Sequence, residues 1–373
     1  MPPHKPLFLM AGLWALVAPS VWLWPGLVAD PVAWHLHEFF FGMAAAAIGG
    51  YLLTALPHWA TGDISPVALR LLILFWLAGR IAQIWPQTPG ALVLAVAYPL
   101  FLCLLLARGL IPARAWRRMW MAGLPLALAT AEMLTAYRPG WSTAPVLLTL
   151  GFTLMIGLIG GRIVPAFTRS RLRHIAPHLT LQDLRSAGWV SAIAAAAAPI
   201  LLGMGHDQPT GLAILIAGTA QIIRQSRWRP LQLRTETDIL MMQGAFALLA
   251  FGQILVGLAL IRPEVLALRA ALHMLTMGAM GGMILAIASR PLLPRANGRL
   301  QPGRDIDTAF LLICAAGASR VFLANTDIAG LTGQHWSALF WLAAWALFLL
   351  RSLRLWKTPA PFPALSADQG KGG

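Results

Sequence analysis

Long apolar runs separated by short turns recur from one end of this chain to the other. A helix needs ~20 largely apolar residues to cross the hydrocarbon core of a bilayer, and in lipid every backbone polar group must find its partner within the protein. Twelve such segments can be drawn, at about 7–29, 33–56, 65–85, 90–108, 115–136, 143–168, 186–204, 209–226, 238–260, 266–289, 306–325 and 334–356. The expected fold is all-α, a polytopic membrane bundle of twelve transmembrane helices. Residues 1–357 would form one transmembrane domain, and the Pro/Gly-rich tail 358–373 is expected to be disordered. Of the 373 residues 58% are hydrophobic and only 11% charged, where a soluble chain carries about 25% charged residues.

The breaks carry turn signals: Asp30-Pro31, Pro86 to Gly90, Arg138-Pro139-Gly140 and Asp207 to Gly211. The run from Leu7 to Val28 is longer than a signal-peptide core and lacks a clear small-residue cleavage site, so it reads as the first span. The net charge of +15 would suggest nucleic acid in a soluble protein. Here its distribution gives another reading. With both termini cytoplasmic, 22 of the 28 Lys and Arg fall in cytoplasmic segments, only Arg138, Arg262 and Arg269 fall on the outer side, and Arg70, Arg80 and Arg320 fall within spans. The partner so implied is the lipid bilayer, not nucleic acid. The longest connection, 169–185, is basic and is expected to lie along the cytoplasmic surface. Cys103 and Cys314 both fall in apolar segments, which argues against a disulfide framework, and the lack of Cys-x-x-Cys-His excludes covalently attached haem.

Polar residues gather toward the outer ends of the spans: His35, His37 and Glu38 in the second, Arg80 and Gln83 in the third, Glu132 in the fifth and Gln253 in the ninth. His273 lies about two turns into the tenth span, Arg320 near the outer end of the eleventh, and His206 and His335 in or beside outer loops. Ionisable groups inside a membrane usually face the bundle interior and mark a site, although groups at helix ends also reach water by snorkelling. Neutral imidazole is a common ligand for haem iron and copper.

Asp30-Pro31 should start the second helix, as an N-cap followed by a first-turn proline. At ~100° per residue, His35 then shares a face with Glu38, Gly42, Ala46 and Gly49, and His37 shares one with Phe41. The two rings diverge, so either they serve two centres or the helix start is unwound. The smooth face of Gly42, Ala46, Gly49 and Gly50 suits helix packing or the close approach of a flat macrocycle. In the tenth span His273, Met277 and Met280 form a stripe, read either as packing or as soft ligands.

The stretches WHLHEFFFG (34–42) and LLTALPHWATG (52–62), GFTLMIGLIGGRIVPAFTR (151–169) and HMLTMGAMGGMILAIASR (273–290) resemble, in order, the motifs of the NnrS family. Leu77-Ala78-Gly79-Arg80 and Arg320 also look like family positions. The resemblance implies a multi-pass protein of the bacterial inner (cytoplasmic) membrane that contains haem, of the b type, and copper. It further implies a role in nitric oxide metabolism and in relief from nitrosative stress. The family's histidines map onto His35, His37 and His273 as metal ligands. Glu38 and Glu132 would orient a ligand or relay a proton, and Arg80 and Arg320 would pair with haem propionates. Two departures stand out: Pro57-His58-Trp59-Ala60-Thr61-Gly62 replaces the usual Pro-Asn-Trp-Thr-Gly, and Phe39 replaces the Met after the Glu.

Twelve spans with outer haem are similar at fold level to haem–copper oxidases and nitric oxide reductases. A full oxidase-type set, however, calls for more histidines than the five on this side, and a reductase would need a quinol or a partner protein as electron donor. A secondary transporter with a proton- or metal-coupled polar site is the alternative.

Overall fold

The Asp30 side chain caps a helix as its position before Pro31 predicts: its Oδ1 accepts from the backbone N–H groups of Val32 and Ala33, each at 3.0 Å. The computed structural model describes residues 2–358 apart from 25, 61–63, 139, 297–298 and 302. Pro139, the Thr61-Gly62 end of the departing motif, and almost all of the tail 358–373 thus lie outside the described residues.

The structure is all-helical apart from two antiparallel two-residue hairpins, Arg295–Ala296 with Arg299–Leu300 and Asp327–Ile328 with Leu331–Thr332. A helix occupies each of the twelve expected segments. Among the described residues, nine are long and apolar enough to cross a membrane. The other three are α4 (Pro66–Ala82), which is 17 residues long, α9 (Asp207–Ser226), and α13 (Arg304–Phe322), which carries Arg304, Asp305, Asp307 and Arg320.

The described residues form two compact units: one within residues 2–142 with 349–358, the other within residues 143–348. In the first, α1 (His4–Val17) packs along a helix made of α2 (Pro31–His37), a π-helical segment π1 (Glu38–Ala44) and α3 (Ala45–Ala55). Helix α4 packs on α5 (Ala91–Leu110), and α5 on α6 (Trp120–Tyr137). The small-residue face of α3 is filled by protein side chains. A Cβ at Gly42 would strike the Trp14 indole, one at Gly49 the Tyr98 hydroxyl, and one at Gly50 the Phe8 ring. Helix packing, one of the two readings of that face, is present there: aromatic side chains from α1 and α5 lie against it.

The second unit contains α7 (Ala144–Ile175), α8 (Arg185–Gly203), α9, α10 (Thr237–Ile261), a helix formed by α11 (Leu268–His273), π2 (Met274–Gly281) and α12 (Gly282–Ser289), then α13 and most of α14 (Gly333–Arg354). Helices α9 and α10 are drawn together by glycines: a Cβ on Gly211 would lie 2.8 Å from the Gly257 carbonyl oxygen, and one on Gly218 2.6 Å from that of Ala250.

Helix α7 runs seven residues beyond the expected end of the sixth span. Arg171 explains the extension: its Nε is 3.1 Å from Glu236 Oε2, and its side chain is only 3% exposed. Arg290 is likewise buried, 2.9 Å from Asp238 Oδ2. Both arginines belong by charge to the basic side but are consumed in ion pairs rather than left to water. The shorter connection 176–184 is tied down by Asp183, whose carboxylate accepts from Arg224 Nε at 2.7 Å and Nη2 at 2.9 Å. Burial alone would raise the Asp183 carboxyl, but the facing guanidinium holds it below the usual carboxylate range.

Candidate functional site

Both π segments begin directly after a histidine, His37 before π1 and His273 before π2, and in each the fifth residue on is a glycine, Gly42 or Gly278. π-Helical turns in α-helices are frequent at functional sites. The wider turn also changes which residues meet. On a regular helix Glu38 would share the His35 face. Instead its carboxylate accepts from the neighbouring His37 ring, Nδ1 to Oε1 at 2.9 Å, and His35 turns its ring toward Trp22 and Phe39. The expected His37–Phe41 pairing is present, with ring centroids 4.9 Å apart.

Four side chains from three helices close into a quartet in the first unit. Arg80 Nη1 donates to Glu38 Oε1 at 2.9 Å, and Arg80 Nη2 lies 3.6 Å from Glu132 Oε1. His37 bridges the two acids, with Nε2 at 3.0 Å from Glu132 Oε1. Trp14 Nε1 donates to the other Glu38 oxygen. Glu38 is fully buried, Glu132 and Arg80 nearly so, and the His37 side chain is 16% exposed.

Hydrogen-bond accounting limits the protonation states. Each His37–carboxylate contact needs one hydrogen, and Glu38 already accepts from Arg80 and Trp14. The His37 Nδ1–H therefore points to Glu38, and one further proton lies in the bond between His37 Nε2 and Glu132 Oε1. With Arg80 charged the quartet is then neutral, which is what makes its burial tolerable. Trp14 is the partner of the quartet that reading the sequence missed. Nothing in the pattern separates it from the other fifteen tryptophans.

His273 stands differently. Its Nδ1 is 2.6 Å from the Arg269 carbonyl oxygen, which can only accept, so Nδ1 carries the hydrogen and Nε2 keeps a lone pair. The ring is half-buried, and its helix packs on α13, which bears Arg320. Arg320 Nη1 donates to Gln334 Oε1 at 2.8 Å. Met277 Sδ accepts from the Ser337 hydroxyl, and Met280 is buried. His206 and His335 are exposed, and His335 Nδ1 meets the Thr332 hydroxyl at 2.8 Å.

The structure thus brings His37, Glu38, Arg80 and Glu132 together in one unit, and places His273 and Arg320 in the other. The family model for NnrS protein matches residues 2–358. The chain belongs to the NnrS family. No curated protein matches it at a significant level. The NnrS family is associated with the nitric oxide response, and the motifs 34–42 and 273–290 of this NnrS chain are the two segments that carry the π-helical turns.

The donors differ in how well they suit haem or copper. His273 presents an unprotonated nitrogen with its partner nitrogen oriented by a carbonyl, the arrangement of a metal-ligating imidazole. His37, as placed, has both nitrogens engaged by carboxylates and offers no lone pair. Among the described residues no three His, Cys, Asp or Glu side chains converge as a metal set.

Proposed function

We infer that this NnrS chain is a membrane protein that binds or turns over nitric oxide at a b-type haem, on the outer side by the charge reading, and relieves nitrosative stress. The observation that carries this reading is the His273 ring at the head of π2, with Nδ1–H held by the Arg269 carbonyl and Nε2 left as a ligand. Haem bound there would supply an iron that takes nitric oxide. Arg320 on the adjacent helix would be the cation for a propionate, since its Nη1 donates to the neutral amide oxygen of Gln334 rather than to a carboxylate. Arg80 is less suited to that task, because Glu38 and Glu132 already neutralise it. His35 remains a second candidate ligand.

The quartet in the first unit contributes a proton store rather than a ligand. His37 holds the Nδ1 hydrogen toward Glu38, and the hydrogen shared with Glu132 is the one the quartet can release or take up. Turnover, as distinct from binding, would need electrons from a quinol or partner protein. Among the described residues no three donors converge for copper.

The test is the optical spectrum of the purified full-length protein, with and without nitric oxide, for the wild type and single histidine variants. His273→Ala should lose the haem bands, and His37→Gln should keep them. A haem-free wild type from haem-replete cells, or full haem in His273→Ala, overturns the assignment. Steady-state nitric oxide consumption with a quinol in liposomes separates a reductase from a sensor or scavenger.

A further inference from the structure

The second unit contains a line of buried polar atoms that the reading above does not use. Asp238 and Gln243 lie on α10 with Gln253 further along the same helix, and Gln221 lies on α9. Each residue is at most 3% exposed. Asp238 Oδ1, Gln243 Oε1, Gln221 Oε1 and Gln253 Oε1 have no protein hydrogen-bond partner, nor has Arg171 Nη1 at the basic end of α7. Dry protein interiors avoid such atoms, and a succession of them is the mark of internal water, which typically bridges two to four polar groups.

Their order along the unit can be fixed. At the basic end Asp238 Oδ2 is 2.9 Å from Arg290 Nη1 and 3.9 Å from Arg171 Nη2. One turn and a half further along, Gln243 Nε2 donates to Thr168 Oγ1 on α7 at 3.0 Å, and its backbone carbonyl accepts from Gln225 Nε2 at 2.6 Å. Next comes Gln221. A Cβ on Gly157 would lie 3.5 Å from Gln221 Nε2 and 3.9 Å from Leu249 Cδ2, so the amide sits at the level of Leu249. Gln253 follows, beside Gly218 of α9. From Asp238 to Gln253 the α10 axis rises ~22 Å at about 1.5 Å per residue, most of the ~30 Å thickness of a bilayer core. Successive groups are separated along the axis by roughly 6–9 Å on the same rise, with a further lateral offset from the helical turn, so each gap would take at least one or two waters.

We propose that this unit holds a hydrated polar track running from the Arg171–Asp238–Arg290 cluster to Gln253, and that it carries water and protons from the basic face toward the nitric oxide chemistry. The proton-carrying role rests on the function inferred above; the hydration does not. At the entrance Glu236 and Asp238 face Arg171 and Arg290, and Arg295 and Asp307 also act on the cluster. Protons would move as hydrogen-bond shifts between water and the glutamine amides, with no net change in the side chains.

Hydroxyl-radical labelling of the full-length protein tests the hydration. Met241 and Met242 flank the track and are 3% and 0% exposed, and Met121 of the first unit, 3% exposed, is the dry control. Radiolysis should label Met241 or Met242 far above Met121, with oxygen that exchanges slowly from isotopically heavy water. Gln221→Leu should reduce that labelling several-fold. Labelling no higher than at Met121 overturns the track. In quinol-driven liposomes Gln221→Leu and Gln253→Leu should slow nitric oxide consumption at least tenfold while haem content and the nitric oxide spectrum stay unchanged. Unchanged consumption in a hydrated protein overturns the proton route. Absence of consumption in the wild type is a failure of the turnover reading, and the labelling result still decides the track.

Discussion

The two units set the same local device in different surroundings. In each, a helix enters at a histidine, widens into a π turn, and continues past a glycine five residues on. His37 is clamped through both nitrogens by Glu38 and Glu132, whereas His273 spends one nitrogen on a backbone carbonyl of its own helix and keeps the other. The difference comes from the neighbouring helices. Next to His37 stand a carboxylate on α6, a guanidinium on α4 and, one residue along, Glu38; the residue after His273 is Met274. A histidine at the head of a π turn is thus a position, and the elements packed on it decide whether both ring nitrogens are engaged or one keeps its lone pair.

The largest expected effect is in the quartet. Arg80→Met leaves two buried carboxylates without their guanidinium and should destabilise the protein by about 3–5 kcal/mol, read as loss of folded protein in a thermal melt. If Arg80→Met melts like the wild type, the quartet is not the electrostatic unit described.

Histidine variants test the contrast itself. His37→Leu removes two hydrogen bonds to carboxylates and should cost about 2–4 kcal/mol, while His273→Leu removes one neutral hydrogen bond and should cost about 1 kcal/mol. Equal losses would break the comparison. The glycines should differ as well. Gly42→Val drives a side chain into the Trp14 indole that donates to Glu38, an overpacking that costs about 1–3 kcal/mol. At Gly278 the nearest atom to a Cβ is the flexible Met274 Sδ at 3.1 Å, so Gly278→Val should cost less. The smallest effect is at the Asp183 clasp. Its carboxyl is depressed in the folded state, so its contribution is present above the unfolded carboxyl value of about 4 and is lost as pH falls through the lower folded value. Discounted for its partial exposure, that is about 1 kcal/mol or less. Asp183→Asn should lower the melting temperature slightly at pH 7, and the deficit should shrink as the pH is taken below about 4.

Much of this architecture is legible in the chain. Hydrophobic run length places a helix at every expected segment, and Asp30-Pro31 starts α2 where capping chemistry requires. His35 and His37 diverge, as helical spacing demands. The α7 extension was not legible, because Arg171 reads as an ordinary basic residue of a cytoplasmic loop until Glu236 and Asp238 are seen beside it. The occupied face of α3 was not legible either: small residues show that something approaches closely, but not whether it is Tyr98, Phe8 or a cofactor.

By itself the sequence determined the class of protein, the helix positions and the residue types available for chemistry, since these depend on hydropathy, local capping and composition along a single segment. Only the tertiary structure decided that Glu132, 95 residues away in the chain, closes on His37, and that His273 instead keeps a free nitrogen. Those outcomes depend on where a π turn shifts the helix face and on which side chain an adjacent helix delivers within 3 Å, and no local pattern encodes either.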